Sequence, residues 1–228
     1  VAANNILREK RAVYTQLLNS RGGIEADVTI TQLPDGTYLL ITGTASARHD
    51  KAWLEKIAER EGFSVTITDV SQEYAVFGIW GPRAREIMAP LTDIDLSHEA
   101  FPFGASREVS IAGVKVRMVR ITYVGELGWE IYIPRNNNAD PLKVWQLIFD
   151  AGAPLGLLPC GYRAIESLRL EKGYRAWGTE ISTERNPLEA GLSFAVSMKK
   201  ERFLGRDAIA KLHERGGPAK RLMAITFD

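Results

Sequence analysis

The stretch Val13-Tyr14-Thr15-Gln16-Leu17-Leu18-Asn19-Ser20-Arg21-Gly22-Gly23-Ile24-Glu25-Ala26-Asp27 decides the reading of the fold. Two β-rich runs, residues 13–18 and 24–33, flank Asn-Ser-Arg-Gly-Gly. That is turn chemistry, because glycine reaches positive φ without a Cβ clash and asparagine bonds its own backbone. On the second strand, period two puts Glu25 and Asp27 on one side and Ala26 on the other. Pro34-Asp35-Gly36 marks a second turn, so residues 37–42 complete a three-stranded meander.

Beyond the meander the period changes. In residues 45–61 Trp53, Leu54, Ile57 and Ala58 share a helical face, and Gly62 suits the stop. Residues 63–70 and 74–80 are β-rich. Gly81-Pro82 opens a short helix to Leu91, with proline at a tolerated first position. A hairpin turns at Ala112-Gly113, joining residues 108–111 to 114–123. Its apolar set slips from Val114, Val116 and Met118 to Val119, Ile121 and Tyr123, which calls for a bulge or a strand covered on both faces. A strand over 129–133 precedes a helix carrying Leu142, Trp145, Leu147 and Ile148, and residues 161–172 form another. After Asn186-Pro187 come a short helix, the apolar run 192–198, a helix over 206–213 and a strand from Arg221. Strands and helices mix without βαβ alternation, so the class is α+β with mixed or antiparallel sheets.

Composition narrows function by exclusion. Twenty-nine basic and twenty-eight acidic residues in 228 leave no electrostatic footprint for nucleic acid or an anionic membrane. No apolar run reaches membrane-spanning length, and residues 1–5 lack signal-peptide character. The three histidines have no ligand-like spacing, so no metal site is expected. No phosphate-cradling loop or nucleophile elbow occurs. Cys160 is the sole cysteine and reads as buried and inert. It is compatible with a reducing compartment, the cytoplasm or, in a eukaryote, the mitochondrial matrix.

Two further stretches join the first: Thr122-Tyr123-Val124-Gly125-Glu126-Leu127-Gly128-Trp129-Glu130, and Ser167-Leu168-Arg169-Leu170-Glu171-Lys172-Gly173-Tyr174-Arg175-Ala176-Trp177-Gly178 followed by Asn186-Pro187-Leu188-Glu189-Ala190-Gly191-Leu192. In this order they resemble the aminomethyltransferase family, which includes the glycine cleavage T protein and folate domains fused to flavin-dependent amine dehydrogenases. The third stretch is similar to the dimethylglycine and sarcosine dehydrogenase branch. The resemblance covers essentially the whole chain. It implies one folate-binding domain of two intertwined subdomains, about 1–70 and 71–220, with 221–228 opening a C-terminal β-barrel. It also implies a longer parent polypeptide, with a further segment before Val1.

The resemblance further implies tetrahydrofolate as cofactor and an oxidised N-methyl amine as one-carbon donor, giving 5,10-methylenetetrahydrofolate. Flavin adenine dinucleotide (FAD) would sit in a covalently linked domain of the parent and not here. Asp27 matches the family aspartate at the reacting nitrogens, and a carboxylate in a partly apolar pocket is a stronger base. Glu130 matches the pterin-holding glutamate and Tyr123 an aromatic beside it; Tyr14 and Tyr174 fall on pocket positions. Periodicity alone reads Asp27 and Glu130 as surface charges and the tyrosines as core aromatics. Arg169 and Glu171 read as helix anchors. Two departures stand out. Ala26 replaces an acid common in T proteins, and Ile165 stands where they carry a pterin-binding arginine. A stand-alone T protein and a non-catalytic folate-binding or assembly module are the alternatives.

Overall fold

The computed structural model describes Leu7 and residues 10–136 and 139–225, and its chain forms two units: residues 1–68 with 175–228, and residues 69–174. Both sheets are antiparallel, and the class is α+β.

The first unit holds the meander β1 (Ala12–Leu18), β2 (Ile24–Gln32) and β3 (Tyr38–Ile41). β2 is central. Its register against β1 pairs Tyr14 with Thr29, Gln16 with Asp27 and Leu17 with Ala26, then shifts by one at Leu18 and Ile24. That irregularity lets the tight Asn19–Gly23 turn close. Asn19 Oδ1 accepts from the amides of Arg21 and Gly23, both at 3.0 Å, and Gly22 takes φ +85°. Leu17, Ala26, Val28 and Ile30 bury one face of the meander, with Leu40 and with Trp53 and Leu54 of helix α1 (Ala47–Arg60). α1 ends as its glycine predicts: Gly62 has φ +67°, and the Gly62 and Phe63 amides bond back to Glu59 and Ala58.

The returning segment belongs to this unit, so the second unit ends at Tyr174 and not near 220. Backbone bonds explain why. The Ile24 amide donates to the Ser182 and Arg185 carbonyls, at 3.2 and 2.9 Å, and Trp177 Nε1 donates to the Ile24 carbonyl at 3.0 Å. Ile181, Ala190, Phe203 and Ile209 then close a core on Leu18 and Ile24.

The second unit is built on a four-stranded sheet of β4 (Tyr74–Trp80), β7 (Gly128–Pro134), β6 (Val114–Val119) and β5 (Ser106–Ile111), in that spatial order. Its core joins Met118, Trp129, Ile131 and Ile133 to Ile87 and Met88 of α2 (Ala84–Met88) and to Val144 and Ile148 of α3 (Pro141–Gly152). Asp140 caps α3, accepting from the Leu142 amide at 3.0 Å. α4 (Tyr162–Glu171) follows in this unit, and α5 (Arg206–Glu214) lies in the first.

Several sequence expectations are corrected. Residues 63–70 join no ladder among the described residues, and Phe63 and Val65 are exposed. Their β-propensity lacks a partner strand. β6 stops at Val119, because Arg120 turns inward and donates to the Phe101 carbonyl at 2.6 Å. This exit from the strand, and not a bulge, accounts for the slipped apolar set. Pro82 precedes α2 and does not start it. The segment after Asn186 has capping chemistry, with Asn186 Oδ1 accepting from the Glu189 amide and Glu189 returning the bond. It closes after one turn, because Gly191 is left-handed at φ +72°. Residues 221–225 form no strand, and the Leu222 amide donates to the Glu189 carbonyl at 2.8 Å. Residues 1–5 and 226–228, part of the expected barrel start, lie outside the described residues. Cys160 is exposed, because it lies in the irregular segment before α4 and packs in no core.

Candidate functional site

In the first unit, the site is built on the meander face that carries Tyr14, Gln16, Glu25 and Asp27. Directly paired antiparallel residues project to the same side, so Gln16 faces Asp27 and Tyr14 reaches it diagonally. The Tyr14 hydroxyl donates to Asp27 Oδ2 at 3.3 Å, and its ring stacks on Phe194 at 6.1 Å. Burial pushes the Asp27 carboxyl above its usual value. Its own backbone and Tyr14 pull it back, and Asp50 pushes it up again. Asp50 is buried at the start of α1. It accepts from Ser46 Oγ at 2.8 Å, from Thr42 and from His49 Nδ1 at 2.9 Å. His49 Nε2 lies 3.7 Å from Glu25, which also takes a bond from Asn19 Nδ2 at 2.9 Å. An acid whose proton affinity is raised by burial thus sits in a polar network on a strand. It can accept a proton from an N–H group or orient one.

In the second unit, Glu130 lies on the face of β7 opposite the core, two residues from Tyr132. The Tyr132 hydroxyl donates to Glu130. Burial raises the Glu130 carboxyl and Tyr132 lowers it, while burial and the Glu130 charge push the Tyr132 phenol far up. Across the ladder from Glu130 is Gly78. A Cβ there would fall 2.2 Å from the Trp80 ring, so the glycine leaves the space that this indole occupies. Trp80 Nε1 is held by the Ile121 carbonyl at 3.0 Å. Tyr123 and Tyr174 stack at 6.3 Å with planes 21° apart. Arg169 is buried in α4, pairs with Glu166 and donates to the Tyr174 carbonyl at 3.0 Å. It anchors the loop as its sequence reading implies, whereas Glu171 is exposed.

The structure therefore brings Tyr14 to Asp27 and Tyr123 to Tyr174, each pair within its own unit. Three residues near these groups escaped the sequence reading: Gln16, Trp80 and Tyr132. Tyr132 was findable from period two, and Trp80 from a glycine interrupting a strand. An open depression beside the Gly22-Gly23 turn is lined by Arg21, Gly23, Thr183, Glu184 and Asn186, and none of the expected site residues lines it.

Residues 1–200 match the family model described as the GCVT N-terminal domain. The chain belongs to this family. Relatives include the mitochondrial sarcosine dehydrogenase of Mus musculus, 40% identical over 95% of this chain and 25% of its own length. An aminomethyltransferase of Geobacillus thermodenitrificans is 38% identical over 96% of this chain and 58% of its own. Among solved structures, the glycine cleavage system aminomethyltransferase T of Bartonella henselae superposes with a TM-score of 0.75 at 26% identity, covering 93% of this chain and 55% of that one. This GCVT N-terminal domain thus spans about a quarter of the dehydrogenase and a little over half of the aminomethyltransferases. The mixed α+β architecture with antiparallel sheets is the aminomethyltransferase T fold. Among the described residues, no helix is long and apolar enough to cross a membrane.

Proposed function

We propose that this chain binds tetrahydrofolate and captures a one-carbon unit from an oxidised N-methyl amine of the dimethylglycine or sarcosine kind, within a longer FAD-dependent enzyme. The observation that carries this reading is Asp27, a largely buried carboxylate with raised proton affinity beside the Tyr14 hydroxyl. It lies in a chain about 40% identical to a sarcosine dehydrogenase.

Bound tetrahydrofolate supplies two secondary amines, N5 and N10, that together take the methylene carbon of an iminium, with release of the amine and one proton. Asp27 is the proposed acceptor of that proton, and Tyr14 fixes the carboxylate. Glu130, itself pushed up by burial and held by Tyr132, suits the amino and ring N–H groups of a pterin, because a carboxylate accepts two such bonds side by side. Tyr123 and Tyr174 offer aromatic surface. Ile165 provides no guanidinium, so the pterin end relies on Glu130. The linked flavin domain, and a location in the mitochondrial matrix or the bacterial cytoplasm, belong to this same proposal; the dehydrogenase relatives are named as mitochondrial.

A second reading has comparable support from the 38% identical aminomethyltransferase, namely a T protein that takes its aminomethyl group from a lipoyl carrier. Calorimetry with tetrahydrofolate on the protein as its gene encodes it, followed by assay of methylenetetrahydrofolate, decides both. Saturable binding with amine-dependent product supports the first reading, and carrier-dependent product supports the second. Absence of binding sinks both.

A further inference from the structure

Gln16 is wholly enclosed, and neither its Oε1 nor its Nε2 has a hydrogen-bond partner among the described residues. A buried amide with both ends unpaired is unfavourable and marks either strain or a function. Its place in the fold suggests which. Gln16 is the direct cross-strand partner of Asp27. Such pairs hold their Cβ atoms about 4.5–5.5 Å apart on one face. Among the described residues, Asp27 takes a side-chain bond from the Tyr14 hydroxyl at 3.3 Å and a backbone bond, whereas an ionised carboxylate has room for more. We infer that Gln16 is a positioning residue for Asp27, its amide N–H turning onto the carboxylate whenever that carboxylate is charged.

The surroundings leave this task to Gln16. Among the described residues, Asp27 is acted on by the Tyr14 phenol of β1 and by Asp50 of α1, whose charge has the same sign, and Glu25 lies two residues away on β2. His49 of α1 is engaged with Glu25 and Asp50. Neighbouring charge therefore opposes ionisation, and an uncommitted neutral donor within side-chain reach is the natural counterweight. Rotation about the flexible glutamine torsions completes the bond. While Asp27 carries the proton taken from substrate the amide stands idle; once that proton passes to solvent, the amide holds the carboxylate in place for the next cycle. This deepens the proposed role of Asp27 as proton acceptor and rests on that reading.

The test follows the Asp27 carboxyl by carbon-13 NMR across pH in the full protein, with Asp27→Asn identifying the resonance. Gln16→Met keeps the shape and removes the donor. The expected result is an Asp27 proton affinity raised about tenfold, and a turnover-against-pH profile displaced upward by about one unit. Gln16→Leu serves as the second variant should the first fold poorly. A purely structural glutamine would change thermal stability and leave the titration where it is, and that outcome overturns the inference. A Gln16-dependent titration in a protein that ignores tetrahydrofolate would sink the folate reading and leave this one standing. An unmoved titration in a folate-binding protein would do the reverse.

Discussion

At the scale of single residues, burial is the largest influence on both candidate carboxylates, Asp27 and Glu130, and raises the proton affinity of each. Asp27 binds its proton more tightly folded than unfolded, where its value is near 3.8. Its contribution to stability is complete below that value, declines as pH rises toward the folded value, and stays lost above it. Asp27→Asn removes the ionisation, so the variant is expected to be more stable than the parent at pH 7. The gap should close as pH falls to 4, measured by urea midpoints; a variant less stable at pH 7 would contradict the assignment. Tyr132→Phe tests the other carboxylate. It deletes a hydroxyl bond to Glu130, and bonds to charged groups contribute about 1.5–3 kcal/mol. The loss is expected to be larger at pH 7 than at pH 4, because the hydroxyl bond favours the charged form of Glu130. Motif position marked Asp27, Glu130 and the tyrosines as site candidates in the sequence. It did not single out Gln16: period two places it on the face of Tyr14, but counting outward from Leu18 and Ile24 pairs it with Ala26 and would turn it away from Asp27. The register shift at Leu17 and Leu18 reverses that face, and only the folded turn discloses it.

Among the elements, turns were more legible than strand partners. Ala112-Gly113 reads as a two-residue hairpin turn, and both residues adopt positive φ, +48° and +84°. Alanine is strained there, since the left-handed region costs an L-residue with a Cβ roughly 1–2 kcal/mol, and Asn-Gly is the favoured pair. Ala112→Asn is therefore expected to stabilise the β5–β6 hairpin by about 0.5–1 kcal/mol, read from the urea midpoint with an unchanged slope. No gain would mean that the strain is absorbed elsewhere. The failures have the opposite character. Residues 63–70 carry good β residues, and the Asn186 segment carries a good helix start. A strand exists only with a neighbour to bond, and a helix continues only if no left-handed glycine follows its first turn. Local pattern registers propensity and capping; it is blind to the missing ladder and to the conformation that Gly191 adopts.

Over the whole molecule, the defining fact is that the first unit is assembled from both ends of the sequence while the second is continuous. The site strand β2 therefore depends on residues more than 150 positions away: Ser182 and Arg185 hold the Ile24 amide, and Trp177 holds its carbonyl. Ile209 of α5 completes that core on Leu18 and Ile24, close enough to the turn that a Cβ on Gly22 would lie 3.2 Å from its Cδ1. The second unit buries its own cluster around Trp129, Ile131 and Met118. Truncating one fully buried isoleucine to alanine costs about 2–5 kcal/mol, and proteins open in cooperative units that follow their cores. In Ile209→Ala, hydrogen exchange is expected to quicken at the amides of β1 and β2, including Asp27. The amides of β4, β6 and β7 should keep their protection. Equal acceleration in both sheets would mean that the two cores unfold as one, and the long-range closure of the first unit would then carry the stability of the entire chain.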